Sequence, residues 1–138
     1  MECVFCLIGE GKIPAVKAFE SGNSLVIMDI FPEALGHCLV VPKKHFVKPA
    51  DIPKEEFHEL MDLVVRVQEA TVSSGVGQGT NLVQNYWPFV PEGGLKVDHV
   101  HFHLVPRNPG DELKRPSSPV AKELLEENAA KIRAALKQ

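Results

Sequence analysis

Three histidines alternate with apolar residues in one short segment, and their spacing points to chemistry. His99, His101 and His103 are each separated by one residue, and the apolar residues of the segment are Val100, Phe102 and Leu104. Because the side chains of a β-strand point alternately to its two faces, this pattern predicts a strand with one imidazole face and one apolar face. A merely solvated face would more often carry Thr, Lys, Glu or Arg, so the histidines indicate a functional site.

The three imidazoles are compatible with two kinds of chemistry. All three could bind one hydrolytic metal ion with an open fourth position, or one could act as a nucleophile or general base while its neighbours orient it. Alternate residues of a strand lie about 6.5 to 7 Å apart, so His99 and His103 would lie about 13 Å apart. This separation disfavours one ion held by all three and favours a division of roles in which the central His101 acts on the substrate.

The cysteines indicate a metal or redox site rather than a structural disulfide. Cys3 and Cys6 form a C-x-x-C pair, and Cys38 makes the number of cysteines odd. In a reducing compartment such a pair is typical of half a metal site or of a redox motif. The strand and helix context of a thioredoxin-like site is not recognisable here, which leaves a metal site or two reduced, buried thiols as the alternatives.

Length, composition and charge limit the class of protein. The chain has 138 residues (15.2 kDa), of which 44% are apolar and 24% charged, so we expect a single globular domain over residues 1–138. The net charge of -3, and the absence of a basic cluster longer than Lys43-Lys44, give no indication of a nucleic-acid partner. No apolar run approaches the roughly 18 residues of a membrane span, and no signal peptide is recognisable, so we expect a cytoplasmic protein without a membrane partner.

Strands and helices predicted from local patterns give an α+β fold. Short apolar runs bounded by turn-forming residues predict strands at 25–30, 38–41, 81–85 and 97–107. The spacing of apolar residues predicts a helix from Lys54 to Thr71, which Asp51 could cap. Ser118 and Pro119 could begin a final helix over about 118–137. Helices and strands outside strict alternation predict the α+β class.

The segment His99–Val105 resembles the signature of the histidine triad family, which is His-x-His-x-His followed by apolar residues. Other segments resemble family blocks in the same order, namely Cys3–Cys6, Gly11–Ala15, Met28–Pro32, Gly36–His45, Gln84-Asn85 and Pro106-Arg107. The resemblance covers most of the chain and implies a homodimeric α+β fold with an antiparallel sheet and two main helices. It also implies cleavage of a phosphorus–oxygen or phosphorus–nitrogen bond of a nucleotide through a covalent nucleotidyl-histidine.

The resemblance further implies roles for the matching residues. His101 would be the nucleophile, because an ordinary imidazole with a pKa of about 6.5 is largely neutral at pH 7 and has a free lone pair. His103 and His37 would lie beside the phosphate and stabilise its charge. Asp29 would accept hydrogen bonds from the ribose hydroxyls. The other implied substrate-binding residues are Asn85, Phe5 and Ile30, with Ile8 fitting either the base pocket or an ordinary core position.

The resemblance also implies a structural zinc ion. In the branch of the family that begins with C-x-x-C, two cysteines and two histidines bind zinc, and the matching residues here are Cys3, Cys6, His45 and His99. Such a Cys₂His₂ set fills the tetrahedral coordination of zinc and leaves no position open for a substrate.

The chain departs from the family pattern just before the histidines. Many relatives have Gly-Gln-Ser or Gly-Gln-Thr there, whereas this chain has Gly94-Leu95-Lys96. This departure puts phosphoramidate specificity in question, and Lys96 could instead neutralise a longer polyphosphate. The aromatic loop 86–94 could stack on a second base or pack across a dimer interface.

The leading hypothesis is therefore a hydrolase of a nucleoside polyphosphate, such as a diadenosine polyphosphate, or of a nucleoside phosphoramidate. One rival is a nucleotidyltransferase or phosphorylase that passes the nucleotidyl group to phosphate. The other is a nucleotide-binding regulatory module with little turnover. The expected cofactor is structural zinc, and the expected partners are a nucleotide and a second copy of the chain.

Overall fold

An antiparallel sheet carries the helices and the histidines of this chain. The computed structural model describes residues 3–91, 97–112 and 115–137. Within them the strands are β1 Lys17–Glu20, β2 Ser24–Met28, β3 Cys38–Pro42, β4 Gly79–Val83 and β5 Phe102–Arg107. The helices are α1 Val4–Gly9, α2 Lys54–Ser73 and α3 Lys122–Leu136, with a 3₁₀ turn at Pro49–Asp51. The α+β class predicted from sequence is confirmed.

The strand order places the histidine-bearing strand inside the sheet. The order is β1-β2-β3-β5-β4, and every neighbouring pair is antiparallel. His103 of β5 lies opposite Leu39 of β3 on one side and Val83 of β4 on the other. Because both neighbouring strands hydrogen-bond to β5, the backbone that carries His103 is fixed from two sides.

Alternation along the strands divides the core into two clusters. The cluster on one face packs against α2 and α3 and includes Val26, Val40, Phe102, Leu104, Val64 and Ile132. The cluster on the other face packs against α1 and consists of Phe5, Ile8, Leu25, Ile27, Leu39 and Val41. Burial of each such side chain stabilises the fold by about 1.5 to 3 kcal/mol. Since His103 is paired with Leu39, it lies on the α1 face.

The observed helices differ from the predicted ones in ways that have local causes. Helix α2 begins at Lys54 as predicted and continues two residues beyond Thr71, but Asp51 lies in the 3₁₀ turn and provides no side-chain cap. Helix α3 begins at Lys122 rather than near residue 118, because the Val120 N–H donates to the carbonyl oxygen of Ile30 and holds the chain out of the helix. None of the helices in the described part of the chain has the length and hydropathy needed to cross a membrane.

Two short elements and several strand boundaries differ from the sequence prediction, with β2 and β4 displaced by one or two residues and the start of β5 by five. Helix α1 and strand β1 were not predicted, because six and four residues are too few to display a period. Strand β5 begins at Phe102 rather than at 97, so His99 and His101 precede it. The Val100 N–H donates to the carbonyl oxygen of Phe46, which is a contact outside the regular sheet.

The two edges of the sheet are built differently. At the β1 edge, the register shifts between Lys17 and Phe19, and the Arg133 guanidinium of α3 donates to the Lys17 carbonyl oxygen. At the β4 edge, Leu82 and Val83 are exposed. The first edge is therefore covered by a helix, whereas the second presents apolar side chains to solvent.

Candidate active site and metal centre

Three histidines and one carboxylate come together where β2, β3 and β5 meet. Asp29 directly follows β2, His37 directly precedes β3, and the Asp29 N–H donates to the His37 carbonyl oxygen over 3.0 Å. The Nε2 atom of His37 lies 3.0 Å from Nδ1 of His103 and 3.6 Å from Oδ2 of Asp29. The rings of His101 and His103 are 4.9 Å apart between centroids. The histidines implied as catalytic therefore form one cluster.

A backbone carbonyl fixes the tautomer of His101. Its Nδ1 lies 2.8 Å from the carbonyl oxygen of His99, which can only accept a hydrogen bond. The proton of the neutral ring is therefore on Nδ1, and Nε2 keeps its lone pair. A lone pair held in a fixed direction is what a nucleophilic imidazole requires.

A backbone amide fixes the opposite tautomer in His37 and, through it, in His103. The Glu33 N–H donates to Nδ1 of His37 over 3.1 Å, so the proton of the neutral His37 ring is on Nε2. That proton is directed at Nδ1 of His103, which is nearer than the Asp29 carboxylate. His103 then carries its own proton on Nε2. The site thus places an imidazole with a free lone pair beside an imidazole with an N–H donor.

Burial keeps these imidazoles neutral at pH 7. Burial lowers the pKa of His101, against the opposing effects of its hydrogen bond to His99 and of the Asp29 charge. Burial, followed by the proximity of His101 and His37, lowers the pKa of His103 to about 4. Burial also lowers the pKa of His37, although Asp29 and Glu33 act in the opposite direction. The hydrogen-bonding pattern described above is therefore the one present at neutral pH.

Asp29 is turned inward rather than fully presented to a ligand. Its side chain is 8% exposed, and its Oδ1 accepts a hydrogen bond from the Phe31 N–H over 2.8 Å. Its Oδ2 lies between Nε2 of His37 and the guanidinium of Arg115, whose Nη1 is 3.8 Å away. Oδ2 is thus free to change its partner when a ligand binds, while Oδ1 stabilises the turn after β2.

The predicted metal ligands come together on the other side of His99. The Sγ of Cys3 lies 3.2 Å from Nδ1 of His99, and the Sγ of Cys6 lies 3.4 Å from Nδ1 of His45 and 3.5 Å from Nδ1 of His99. Zinc–sulfur and zinc–nitrogen bonds of about 2.3 and 2.1 Å in a tetrahedron place such atoms about 3.6 Å apart. The four ligand atoms lie within 4.8 Å of one another, so the set fits a zinc ion.

The protonation of these four residues, Cys3, Cys6, His45 and His99, which we call the metal group, agrees with binding of a zinc ion. The Nε2–H of His99 donates to the Pro42 carbonyl oxygen over 2.7 Å, which leaves the Nδ1 lone pair directed at the cysteines. Burial, followed by the hydrogen bond that the Cys6 thiol donates to Cys3 and by the charge of Cys3, raises the pKa of the Cys6 thiol to about 11. Two adjacent thiolates therefore need a cation to offset their charge.

A second cluster of potential ligands, Asp29, His37 and His103, does not fit a metal ion. Its ligand atoms also lie within 4.8 Å of one another. However, the Glu33 N–H occupies the lone pair of His37 Nδ1, and Nε2 then carries a proton instead of a lone pair. If Nε2 of His37 bound a metal ion, the ring proton would move to Nδ1. That Nδ1–H would then face the Glu33 N–H, and two donors would oppose each other. The cluster is therefore a hydrogen-bonding relay rather than a metal centre.

The remaining predicted substrate-binding residues are placed unequally. Phe5 is buried, and its ring contacts His99 and His101 with centroid distances of 5.6 and 5.1 Å, so it lies in the core against both His99 of the metal group and the His101 ring. Ile8 lies in the core, and Ile30 is half exposed beside Asp29. Asn85 is exposed, and within the described residues its carbonyl oxygen accepts a hydrogen bond from Gln84. Lys96 and loop residues 92–96 lie outside the described residues.

Sequence reasoning missed Arg115 and two of the backbone groups of the site. A nucleophilic His101 requires a backbone carbonyl or another acceptor on its second ring nitrogen, and the carbonyl oxygen of His99 is that acceptor. The carbonyl oxygen of Pro42 and the amide of Glu33 also set the protonation of histidines, but they have no signal in residue types. Arg115 lies in a segment without periodicity, so nothing in the sequence connects it to Asp29. Only the folded geometry shows these partners.

Comparison with known proteins places this architecture in a family. The family sequence model of the HIT domain matches residues 10–110 of this chain. The chain belongs to the histidine triad (HIT) family. It is 37% identical over 142 residues to the adenosine 5'-monophosphoramidase hnt1 of Schizosaccharomyces pombe, a match that covers 96% of this chain and all of the relative.

Solved HIT structures agree with the fold. A zinc-bound histidine triad family protein from Mycobacterium smegmatis has a TM-score of 0.83 and 37% identity, and the match covers 100% of this chain and 95% of that one. A HIT-like protein from Bartonella henselae has a TM-score of 0.86 and 34% identity over 97% of this chain and 96% of that one. The resemblance inferred from the motifs is confirmed.

The opposite tautomers of the histidines can be tested directly. We expect long-range ¹H–¹⁵N correlation spectra at pH 7 to show His101 protonated at Nδ1, and His37, His99 and His103 protonated at Nε2. Single His→Gln variants would assign the signals. A His101 ring protonated at Nε2 would contradict the arrangement, because Nε2 would then have no free lone pair.

Proposed function

We propose that this HIT protein is a hydrolase that cleaves the phosphorus–nitrogen or phosphorus–oxygen bond of a nucleotide through a covalent nucleotidyl intermediate on His101. The observation that carries the proposal is the pairing of tautomers, with a fixed lone pair on His101 beside an N–H donor on His103. The name of the Schizosaccharomyces pombe relative, adenosine 5'-monophosphoramidase, supports a nucleoside phosphoramidate as substrate. Lys96 remains the residue proposed to favour a polyphosphate instead.

The reaction proceeds in two displacements at the α-phosphorus. Nε2 of His101 attacks phosphorus, a phosphorus–nitrogen bond to histidine forms, and the bond to the leaving amine or phosphate breaks as that group takes up a proton from solvent. Water then attacks the same phosphorus and releases a proton, and the nucleoside monophosphate leaves as the histidine bond breaks. The Nε2–H of His103, supported by His37, stabilises the charge on the phosphoryl oxygens in both steps. Asp29 binds the ribose hydroxyls, and Phe5 and Ile30 contribute to the walls around the base.

Zinc has a structural role in this proposal. Cys3, Cys6, His45 and His99 would hold the ion, and their four donors would fill a tetrahedral coordination. These residues lie in or directly before α1, after β3 and before β5, so a bound ion would cross-link three segments. Zinc would thus help to position His99 without taking part in bond cleavage.

The rival functions differ from hydrolysis in their products. A nucleotidyltransferase with phosphate as acceptor would yield a nucleoside diphosphate, and a regulatory module would bind the nucleotide and return it unchanged. Incubation with adenosine phosphoramidate and diadenosine polyphosphates, with and without inorganic phosphate, separates these outcomes when the products are identified. Adenosine monophosphate as the sole nucleotide product of the phosphoramidate supports the hydrolase.

A dimer formed through β4 and α2 completes the proposal. The described residues include an exposed apolar surface, which we call the β4 surface, formed by Val65, Val72, Leu82, Val83, Tyr86 and Trp87. The side chain of Gln68 donates to the Thr80 hydroxyl over 3.0 Å, so the exposed face of α2 lies next to β4. Apolar patches of this kind on a sheet edge are typical of interfaces between copies of a chain.

Loss of the His101 imidazole should abolish turnover but not binding. We expect His101→Ala to lower kcat for adenosine phosphoramidate by at least about a hundredfold, because the bond to phosphorus can no longer form. Binding of adenosine monophosphate, measured by calorimetry, should change by only a few fold. His58→Ala, at an exposed position on α2, is the matched control and should keep full activity. Retained activity of the His101 variant would refute the nucleophile assignment.

The pH profile should reflect the lowered pKa of His101. A histidine with a pKa below 6.5 stays neutral at pH 6.5 and loses its lone pair only at lower pH, so kcat/KM should fall only below pH 6.5. Because the Asp29 charge raises this pKa, Asp29→Asn should move the acidic limb to still lower pH. An acidic limb above pH 6.5, or a shift in the opposite direction in the variant, would contradict the electrostatic description.

The metal group predicts a measurable zinc content. Protein purified without chelator should contain about one zinc ion per chain, and a Cys3→Ser, Cys6→Ser double variant should lose it together with at least about 5 °C of Tm. Cys38→Ala is the control for loss of a thiol, since Cys38 lies in the core beneath α2 and α3, and it should keep its zinc. Wild-type protein without zinc after expression in zinc-supplemented medium would refute the site.

The β4 surface predicts the state of the protein in solution. Light scattering should give about twice the 15.2 kDa chain mass at micromolar concentration. Val65→Asp with Val83→Asp should yield monomers, because two charges would be buried at the interface. Val47→Asp, at an equally exposed valine outside the β4 surface, should leave the dimer intact. A wild-type monomer would contradict the proposal.

A further inference from the structure

Arg115 lies at the rim of the histidine cluster, where the chain runs from β5 to α3. The Val120 N–H donates to the Ile30 carbonyl oxygen over 3.1 Å, which ties this segment to the turn after β2. The guanidinium carbon of Arg115 lies 5.2 Å from the centroid of the Phe31 ring. A cation stacked on an aromatic ring keeps its in-plane N–H donors available to other groups.

The contact between Arg115 and Asp29 is loose. Nη1 lies 3.8 Å from Oδ2, whereas a hydrogen-bonded pair of opposite charges lies about 2.7 to 2.9 Å apart. The Arg115 side chain is 53% exposed, so its charge is solvated and the pair is held weakly. The Arg115 guanidinium therefore lies beside the Asp29 carboxylate without a direct hydrogen bond to it.

The charge balance of the site calls for a cation when an anion enters. The histidines are neutral at pH 7, and Asp29 contributes a buried negative charge 3.6 Å from His37. Within the described part of the chain, Arg115 is the basic side chain found against this carboxylate. Its charge is felt deeper in the cluster, since it helps to lower the pKa of both His37 and His103. A phosphate group would otherwise be repelled by Asp29.

We propose that Arg115 is a phosphate-binding residue of this site that exchanges Asp29 for a phosphate oxygen when a nucleotide binds. The inference rests on the proposed function and extends it to how an anionic ligand is recognised. The exchange has two consequences. It brings a planar set of N–H donors to the phosphate, and it frees Oδ2 of Asp29 for a sugar hydroxyl. Opening the Arg115–Asp29 ion pair serves both contacts, so binding of the phosphate favours binding of the sugar hydroxyl, and the reverse.

The exchange predicts selective effects on charged ligands. Adenosine monophosphate carries the phosphate that Arg115 would bind, whereas adenosine has the same base and sugar without it. We expect Arg115→Gln to weaken binding of adenosine monophosphate about tenfold and binding of adenosine less than twofold. Arg115→Lys keeps the charge and should retain most of the affinity. The half-exposed position makes both variants compatible with folding, and thermal melts check this.

The experiment is a calorimetric titration of wild type, Arg115→Gln and Arg115→Lys with both ligands at two salt concentrations. Affinity of the wild type for the monophosphate should fall with salt more steeply than that of Arg115→Gln, because one ion pair is missing in the variant. Equal affinity and equal salt dependence of wild type and Arg115→Gln for the monophosphate would overturn the role of Arg115. Equal weakening of both ligands would overturn it as well. A wild type that binds neither ligand would refute the proposed function itself.

Discussion

The hydrogen bond from His101 Nδ1–H to the carbonyl oxygen of His99 connects the two halves of the site. The side chain of His99 belongs to the metal group, and its Nε2–H is held by the Pro42 carbonyl oxygen at the end of β3. The backbone of the same residue orients His101. Any shift of the metal group therefore moves the acceptor that fixes the His101 ring. In the proposed function, with His101 as the nucleophile and zinc as the structural ion, coordination and catalysis would depend on this one backbone position.

One backbone amide decides what the second cluster of ligands can do. By distance alone, Asp29, His37 and His103 resemble a metal site as much as the cysteine group does. The Glu33 amide removes that option, because it occupies the only lone pair of His37 and forces the proton onto the side that faces His103. Neutral histidines of opposite tautomer then lie side by side, and burial maintains this state. Hydrogen-bond donors, rather than residue types, separate the two chemistries.

The alternating histidines predicted a division of roles, and the structure places them in two separate groups. His99 lies with the cysteines, whereas His101 and His103 lie with His37. The regular strand predicted through all three residues was wrong, because β5 begins only at Phe102. Local patterns also missed α1, which carries both cysteine ligands at or beside its first turn. The partners that set tautomers depend on register and on contacts between distant segments, and a single sequence carries no record of either.

The unequal edges of the sheet have a consequence for higher assembly. Strands with two open edges can add copies without limit and grow into fibres. Here the Arg133 contact and the irregular register protect β1, which leaves β4 as the open edge of the sheet in the described part of the chain. In the proposed dimer, two chains related by a two-fold axis would pair through their β4 edges. Growth would then stop at a closed pair with a continuous sheet, and a higher protein concentration would not extend it into a filament.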